Sequence, residues 1–196
     1  MSDIGLITGE DKKQRCWWCG YDEQYIHYHD NEWGQPVHDD FRLFEKICLE
    51  GFQAGLSWIT ILRKRNNFRA SFDNFDFYKV ANYDNEAINL LLQNEGIIRH
   101  RGKIEATINN AQRAIELTKE AGSLSNYFWG FQPKEHIKPK SKSEIVSKTE
   151  TSIALSKDLK KRGWKFVGPT TCYAFMQAMG MVDDHIDGCH ISPKQT

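Results

Sequence analysis

Two cysteines and two histidines near the ends of the chain could bind a metal ion. His185 and Cys189 are four positions apart, so on one helical turn they project to the same side and could hold one ion from a single segment. Cys16 and His29, far away in the sequence, could supply the other two corners of a tetrahedral site. A closed site of four ligands would be structural and would join the two terminal segments.

Other assignments of these residue types stay open. Cys16 and Cys19 form a Cys-x2-Cys pair, a common metal-binding pattern, and His27 and His190 are further imidazoles, while the whole set could also be unrelated. The chain has five cysteines, an odd number, and its N-terminus carries no visible export signal. We therefore expect a cytoplasmic protein without a disulfide framework, whose thiols are reduced or bind metal.

A carboxylate lies on an apolar helix face. Glu50 follows Ile47 by three positions and Leu43 by seven, so on a continuous helix the three share a face that should be buried. Five aromatic side chains could surround it: Trp18, Tyr25, Tyr28, Trp33 and Trp58. Aromatic faces around one acid suit a flat, polar or cationic ring such as a nucleobase. Alternatively, the helix ends before Glu50, Glu50 pairs with an arginine, or the aromatic residues only form core.

The elements that must position these residues are predicted to be mainly α-helical. Apolar residues recur at helical intervals from Asp39 to Leu62, with Asp39 and Asp40 as candidate caps. Further helices are predicted at 85–93, 100–120, 123–130, 152–162 and 170–180. Irregular segments are predicted at 16–35, 132–150 and 181–196, after a flexible extension at 1–14.

Composition and hydropathy exclude a disordered chain and a membrane-spanning protein. The 196 residues include 11 Phe, 7 Tyr and 6 Trp, too many for a disordered chain, and the longest apolar stretch is too short to span a membrane. The net charge is zero, but residues 1–50 carry 5 basic and 11 acidic side chains, and residues 134–165 carry 10 basic and 4 acidic ones. A basic stretch of this kind is typical of a solvated surface or of a surface that meets phosphate.

Residues 152–180 predict two helices joined by a hairpin. Gly163 and Gly168 permit a positive φ or a close backbone approach, and Pro169 with Thr170 suits the start of the second helix. Unpaired N–H groups at that start could hold a phosphate. Four basic side chains nearby would attract a nucleic-acid backbone: Lys160, Lys161, Arg162 and Lys165.

Several motifs follow one another along most of the chain. They are Arg15-Cys16, Tyr28-His29-Asp30-Asn31-Glu32-Trp33-Gly34, Leu49-Glu50-Gly51, Gln53-Ala54-Gly55-Leu56-Ser57-Trp58, Gly96-Ile97-Ile98-Arg99-His100, Phe166-Val167-Gly168 and Asp184-His185. Together they resemble the DNA-3-methyladenine glycosylase I family (Tag type) of the helix-hairpin-helix DNA glycosylase superfamily. The resemblance implies a mainly α helix-hairpin-helix glycosylase fold whose N- and C-terminal segments are stapled together by zinc.

The resemblance also implies an activity and a set of site residues. The protein would hydrolyse the N-glycosidic bond of 3-methyladenine in alkylated double-stranded DNA, leaving an abasic site, through one helical unit at 15–190 with a cleft between two helical parts and a tail at 191–196. One structural zinc ion would be bound by Cys16, His29, His185 and Cys189, which excludes Cys19. Glu50 would be catalytic, and the base would be bound by Tyr28 and Trp58, with Trp18 and Tyr25 as neighbours. DNA would contact Gly163, Lys165, Gly168 and Thr170.

The expected enzyme is a monomer without lyase activity, an obligatory protein partner or a membrane association. Two other functions stay open on the residues alone. One is a zinc-stapled DNA-binding module without enzymatic activity, which leaves Glu50 among aromatic residues unexplained. The other is a metal-dependent hydrolase with Glu50 as general base, which needs a metal ion with an open coordination position.

Overall fold

The computed structural model describes residues 4–191, which are mainly α-helical as predicted. Two short strands, β1 (Leu6–Thr8) and β2 (Gln14–Cys16), form an antiparallel pair before the first helix. The helices are α1 (Glu23–Asn31), α2 (Asp40–Gln53), α3 (Trp58–Ser71), α4 (Phe77–Val80), α5 (Asn85–Gln93), α6 (Arg101–Ala121), α7 (Leu124–Trp129), α8 (Glu150–Lys161) and α9 (Pro169–Ala178). No helix among the described residues combines the length and the apolar character that crossing a membrane requires.

The N-terminal segment contains more regular structure than predicted. Leu6 pairs with Cys16 in the strand register, so the predicted flexible extension is wrong for β1. The prediction of an irregular 16–35 is also wrong, because α1 forms there and Asp22 caps it by accepting a hydrogen bond from the Tyr25 backbone N–H at 3.0 Å. Residues 181–191 contain no helix or strand, as predicted. Residues 1–3 and all of the predicted tail except Ile191 lie outside the described residues.

Helix α2 is the central helix of the fold. It packs against α3, α6, α7 and α9, and each residue from Leu43 to Phe52 is buried. Charged side chains on such a helix need partners, because an unpaired buried charge is costly. Arg69 binds Glu45 through Nε and Nη2, at 2.9 and 2.8 Å, and Lys46 pairs with Glu50. The sequence of α2 thus brings three ionisable groups into the interior.

The two aspartates predicted to cap α2 have different roles. Asp39 caps α2 by accepting a hydrogen bond from the Arg42 backbone N–H at 2.8 Å. Asp40 instead accepts hydrogen bonds from the backbone N–H groups of Leu124 and Ser125, at 3.1 and 2.8 Å, so it caps the start of α7. The helical spacing predicted through Leu62 is interrupted at 54–57, where Gly55 has a φ of +81°.

The predicted connection between α8 and α9 is present, and the two helices pack against each other. Gly163 has a φ of +84°, as its position in a tight turn suggested. Gly168 has a φ of −65° and is the N-cap residue of α9, so the positive φ that a glycine permits is not used there. Phe166 adopts the left-handed conformation instead, with a φ of +56°.

Candidate active site and metal centre

The four predicted metal ligands converge on one point. Their ligand atoms all lie within 4.8 Å of one another. Cys189 Sγ is 3.5 Å from His29 Nε2 and 3.7 Å from His185 Nδ1, and Cys16 Sγ is 3.9 Å from His185 Nδ1. Tetrahedral zinc with its usual bond lengths places neighbouring ligand atoms roughly 3.3–3.8 Å apart. The donor types and their spacing therefore fit a zinc ion.

The second nitrogen of each imidazole in this cluster is held in place. His29 Nδ1 lies 2.7 Å from Asp30 Oδ1, and Arg15 Nε in turn donates to Asp30 at 3.0 Å. His185 Nε2 lies 3.1 Å from the carbonyl oxygen of Trp33. Contacts of this kind fix the ring orientation and the tautomer of metal-binding histidines. They aim His29 Nε2 and His185 Nδ1 at the shared centre.

The two thiols of the cluster favour a metal-binding state. Hydrogen bonding to Cys16, aided by His185 and His29, lowers the pKa of Cys189 although burial opposes the shift. The same contact and burial raise the pKa of Cys16. The pair therefore favours one thiolate, the form of cysteine that binds metal ions. The alternative ligands of the sequence analysis lie outside the cluster: Cys19, His27 and His190.

A cavity of about 240 Å³ lies beside the cluster. Its lining includes all five residues predicted for the base site: Glu50, Tyr28, Trp58, Trp18 and Tyr25. The ring centroids of Tyr28 and Trp58 are 5.4 Å apart, and those of Trp18 and Tyr25 are 5.1 Å apart. No described residue accepts a hydrogen bond from the buried Trp58 Nε1. Aromatic rings and a carboxylate can together bind a flat polar ring.

Glu50 is ion-paired with a residue that the sequence analysis missed and that lines a neighbouring cavity of about 220 Å³ rather than this one. Lys46 Nζ lies 2.7 Å from Glu50 Oε1, donates to the Tyr28 hydroxyl at 2.8 Å and lies 3.2 Å from the ring centroid of Trp58. Lys46 is 6% exposed and Glu50 is 5% exposed. Burial lowers the pKa of Lys46, and the attraction of Glu50 opposes that shift in part. The partner of Glu50 is thus a lysine one turn earlier in α2 rather than an arginine.

The Cys/His cluster also supports the wall of the cavity. The Trp33 ring packs edge-on against His185, with centroids 4.6 Å apart, and against Trp18, with centroids 4.9 Å apart. Trp18 in turn lies 5.1 Å from the ring of His29. Two of the four cluster residues therefore contact aromatic side chains that line the cavity.

A second cavity, of about 210 Å³, extends from Glu50 to the start of α9. Its lining includes Glu50, Leu56, Thr170 and Thr171. Glu50 therefore faces both cavities, and the predicted DNA-contacting residue Thr170 lies at the far end of the second one.

The connection between α8 and α9 approaches α2 closely beside this second cavity. A Cβ atom on Gly51 would lie 3.2 Å from the Cβ atom of Phe166, which is tighter than ordinary contact. Glycine at position 51 therefore lets the two segments lie side by side.

The basic surface near this connection is smaller than predicted. Lys160, Lys161 and Lys165 are exposed. Arg162 instead binds Glu120 and Asp158, with contacts of 2.6 Å to each, so its charge is neutralised. Arg162 therefore adds less positive charge to this surface than predicted.

Comparison with known proteins agrees with this geometry. A family model described as methyladenine glycosylase matches residues 18–192. This chain belongs to the methyladenine glycosylase family. It is 52% identical over 183 residues to DNA-3-methyladenine glycosylase 1 of Escherichia coli (strain K12), an alignment covering 92% of this chain and 97% of that protein. The predicted family is thereby confirmed.

Solved structures of methyladenine glycosylases share the fold. A crystal structure of 3-methyladenine DNA glycosylase I (TAG) has a TM-score of 0.88 and 52% identity, and the alignment covers 92% of this chain and all of that one. A variant of 3-methyladenine DNA glycosylase I in complex with 3-methyladenine has a TM-score of 0.85 and 36% identity, covering 89% of this chain and 95% of that one. The predicted mainly α glycosylase fold is confirmed.

In this member of the methyladenine glycosylase family, the predicted residues form two adjacent groups. The five base-site residues line one cavity, and the four metal-ligand candidates form one cluster. The residue missed by the sequence analysis is Lys46, although its spacing of four before Glu50 places both on the same helix face. The particular roles of these residues stay predictions.

Proposed function

We propose that this chain hydrolyses the N-glycosidic bond of 3-methyladenine in alkylated double-stranded DNA and leaves an abasic site. Its family and its 52% identity to a DNA-3-methyladenine glycosylase over nearly the full length of both chains support this reaction. The observation that carries the proposal is the cavity in which Glu50 lies buried beside Tyr28 and Trp58.

The chemistry of the lesion determines what the protein must supply. Methylation at N3 puts a positive charge on adenine, so the base is already a good leaving group and the enzyme mainly selects and positions it. Extruding the nucleotide costs a few kcal/mol, and cation–π stacking on Trp58 returns about 0.5–2 kcal/mol for the charged ring only. Glu50 and Tyr28 would bind the edge of the base by hydrogen bonds. The positive charge of the methylated base therefore lets the site distinguish the lesion from normal adenine.

The second cavity offers a route from the DNA backbone to Glu50. Pro169 is the first residue of α9, so the N–H groups of Thr170 and Thr171 at the start of this helix are available for a phosphate. Lys165 is exposed on the preceding connection and would add attraction for the backbone. A nucleotide whose phosphate is held at α9 would extend its base toward Glu50.

One zinc ion would be held by Cys16, His29, His185 and Cys189. Four protein ligands complete a tetrahedral shell, so we assign the ion a structural role. It would join the segment that follows α9 to the start of the chain and fix Trp33 and Trp18 behind the base cavity. This arrangement leaves the glycosidic bond to Glu50 and the aromatic residues.

The test is to incubate the purified chain with methylated duplex DNA, with and without a chelator, and to measure free 3-methyladenine by chromatography. We expect release from methylated DNA only, by the monomeric chain alone, and no borohydride-trappable adduct. DNA binding without base release would instead support a binding module. A metal-dependent hydrolase would lose activity on chelation while the protein stays folded.

A further inference from the structure

The long connection between α7 and α8, residues 130–149, has no role in the proposed function, yet it reaches the base cavity. Among the residues of this connection, all of which the structure describes, Ile145 alone lines the cavity. Ile145 is half-buried, whereas Glu144 and Val146 on either side of it are exposed. One apolar side chain of a largely exposed connection therefore forms part of the cavity wall.

A short turn carries Ile145 to the cavity. The backbone N–H of Ile145 donates to the carbonyl oxygen of Lys142 at 3.3 Å. The Glu144 carboxylate accepts a hydrogen bond from the Lys140 backbone N–H at 2.8 Å. Lys142 Nζ lies 5.2 Å from the ring centroid of Trp17, which lines the same cavity. The turn is therefore held by its own hydrogen bonds and by a cation–π contact with the cavity wall.

The start of the connection is fixed to the segment that follows α9. His136 Nε2 lies 2.9 Å from Oδ1 of the buried Asp184. The Asp187 backbone N–H donates to the carbonyl oxygen of Pro139 at 2.8 Å. Asp184 and Asp187 lie on either side of His185, a candidate metal ligand, in the sequence. The connection is therefore joined to the same segment that contributes to the Cys/His cluster.

Ile145 lies on a different part of the cavity wall from the polar groups of the site. Glu50 also borders the cavity of about 210 Å³ at the start of α9. Tyr28 and Trp58 also border the cavity of about 220 Å³ that Lys46 lines. Ile145 borders neither of these two cavities. The groups proposed to bind the base thus lie where the neighbouring cavities adjoin, and Ile145 lies apart from them.

The chemistry of adenine determines which part of the base would face each part of the wall. The amine on C6 lies directly across the six-membered ring from N3. Glu50 is a hydrogen-bond acceptor, so it suits this amine. A base held in this way would turn its N3 substituent away from Glu50, toward the part of the wall that includes Ile145.

We propose that Ile145 limits the size of the N3 substituent that the base cavity accepts, an inference that rests on the proposed function. The cavity of about 240 Å³ is smaller than the roughly 300–1,000 Å³ of most small-molecule pockets, so little space is left beside a purine. In an apolar pocket, one additional methylene group changes discrimination roughly 10- to 200-fold. Ile145 would thus favour adenine that carries a methyl group over adenine that carries a longer alkyl chain.

Two free bases of different size test this role. 3-Methyladenine and 3-propyladenine have the same ring and the same polar edge, and they differ by two methylene groups. Calorimetry gives the ratio of their dissociation constants, and the same ratio is measured for single-turnover excision from duplex DNA carrying either base. We expect the unmodified chain to favour 3-methyladenine by at least roughly tenfold. Equal binding and equal excision of both bases by the unmodified chain would overturn the inference.

Truncation of the side chain should relax this preference. Ile145→Ala is expected to lower both ratios roughly tenfold, because the carbon atoms that it removes leave space for the propyl chain. Ile145→Val is the second variant should Ile145→Ala fail to fold, and it should lower the ratios in the same direction. A general loss of stability affects both bases alike, so it does not change the ratios.

Val146→Ala is the matched control, because Val146 is the neighbouring apolar residue, is exposed and does not line the cavity. It should keep the ratios of the unmodified chain. Ratios that stay unchanged in the folded Ile145 variants, or that fall equally in Val146→Ala, would overturn the inference.

The same experiment separates this inference from the proposed function. Unmodified protein that neither excises 3-methyladenine from DNA nor binds the free base would overturn both. Unmodified protein that excises the base, with ratios that do not fall in the Ile145 variants, would overturn the inference alone.

Discussion

The Cys/His cluster and the Glu50 cavity lie side by side, yet the buried polar groups in the two regions have different kinds of partner. In the cluster each imidazole is fixed by an outside partner, and all four ligand atoms face one point. At the cavity, Glu50 is paired with Lys46, which lines the neighbouring cavity, and no described residue binds Trp58 Nε1. The first region holds its donor atoms around one point, whereas the second leaves open space beside its buried carboxylate.

Removing a ligand from the cluster should have the largest effect and should act on stability. Cys189→Ala is expected to lose the metal ion, because three ligands bind it less tightly. A loss of about 4 kcal/mol, well below what zinc contributes to small zinc-binding peptides, lowers the Tm of a chain of this size by roughly 8–16 °C. Metal analysis and thermal unfolding are the measurements.

Cys19→Ala is the matched control for this change, since Cys19 is a buried cysteine that lies outside the cluster. It should retain the metal ion. Full metal occupancy in Cys189→Ala, or metal loss in Cys19→Ala, would contradict the proposed coordination.

A substitution of Glu50, the buried carboxylate of the cavity, should slow excision rather than lower stability. Glu50→Gln is expected to fold and to retain zinc, but to excise 3-methyladenine about 10- to 100-fold more slowly, because a charge-assisted hydrogen bond contributes about 1.5–3 kcal/mol. Single-turnover excision from methylated DNA is the measurement. Unchanged excision kinetics would show that Glu50 does not take part in excision.

Glu45→Gln is the control for the Glu50 variant, because Glu45 is another buried acid on α2 and pairs with Arg69. It should lower the Tm and leave excision within a few-fold of the unmodified chain. An equal loss of excision in both variants would mean that Glu50 acts through the stability of α2.

A smaller effect is expected at Lys165, on the surface proposed to contact DNA. Lys165→Gln should weaken binding to every DNA sequence alike and reduce the slope of log K against log salt by about 1, since one phosphate contact is lost. Binding titrations at several salt concentrations measure this slope. Lys79→Gln is the exposed control, and an equal change in both variants would argue against a contact at Lys165.

The smallest effect concerns the charged residues beside the cavity. Burial raises the pKa of Glu32, but two hydrogen bonds from Arg65, at 2.6 and 2.8 Å, outweigh it and hold that pKa below its usual range. A depressed pKa in the folded state means that the pair stabilises the fold above the unfolded-state pKa of about 4.3. This contribution is lost as the pH falls through the pKa of the folded state.

Arg65→Met tests this pH dependence by denaturant unfolding. The unmodified chain should be the more stable one at pH 7, by roughly 1 kcal/mol, and the difference should shrink in acid. A difference that stays constant between neutral and acidic pH would contradict the assignment.

Sequence reasoning succeeded where spacing alone determines structure. The helix at 85–93 was predicted with its observed bounds, since its apolar residues follow one face and Asp84 caps it. Helix α1 was missed because its nine residues are mostly polar or aromatic and lack an apolar stripe. Strand β1 was missed because three residues are too few to show alternation.

The site residues likewise divide into those that local spacing predicts and those that it does not. The local pair His185 and Cys189 can be predicted from spacing, but the choice of Cys16 over Cys19 came from the family resemblance. The position of Lys46 over Trp58 depends on how α2 and α3 pack, which no local pattern encodes. Long-range placement therefore limits what sequence alone predicts about the site.

The contact between Gly51 and Phe166 has a consequence for the DNA. It joins the helix that carries Glu50 directly to the connection that carries Lys165, one residue away on each side. The spacing between Glu50 and Lys165 is therefore set by the direct packing of these two segments. A nucleotide bound as proposed, with its base at Glu50 and a phosphate near Lys165, would have to match this spacing.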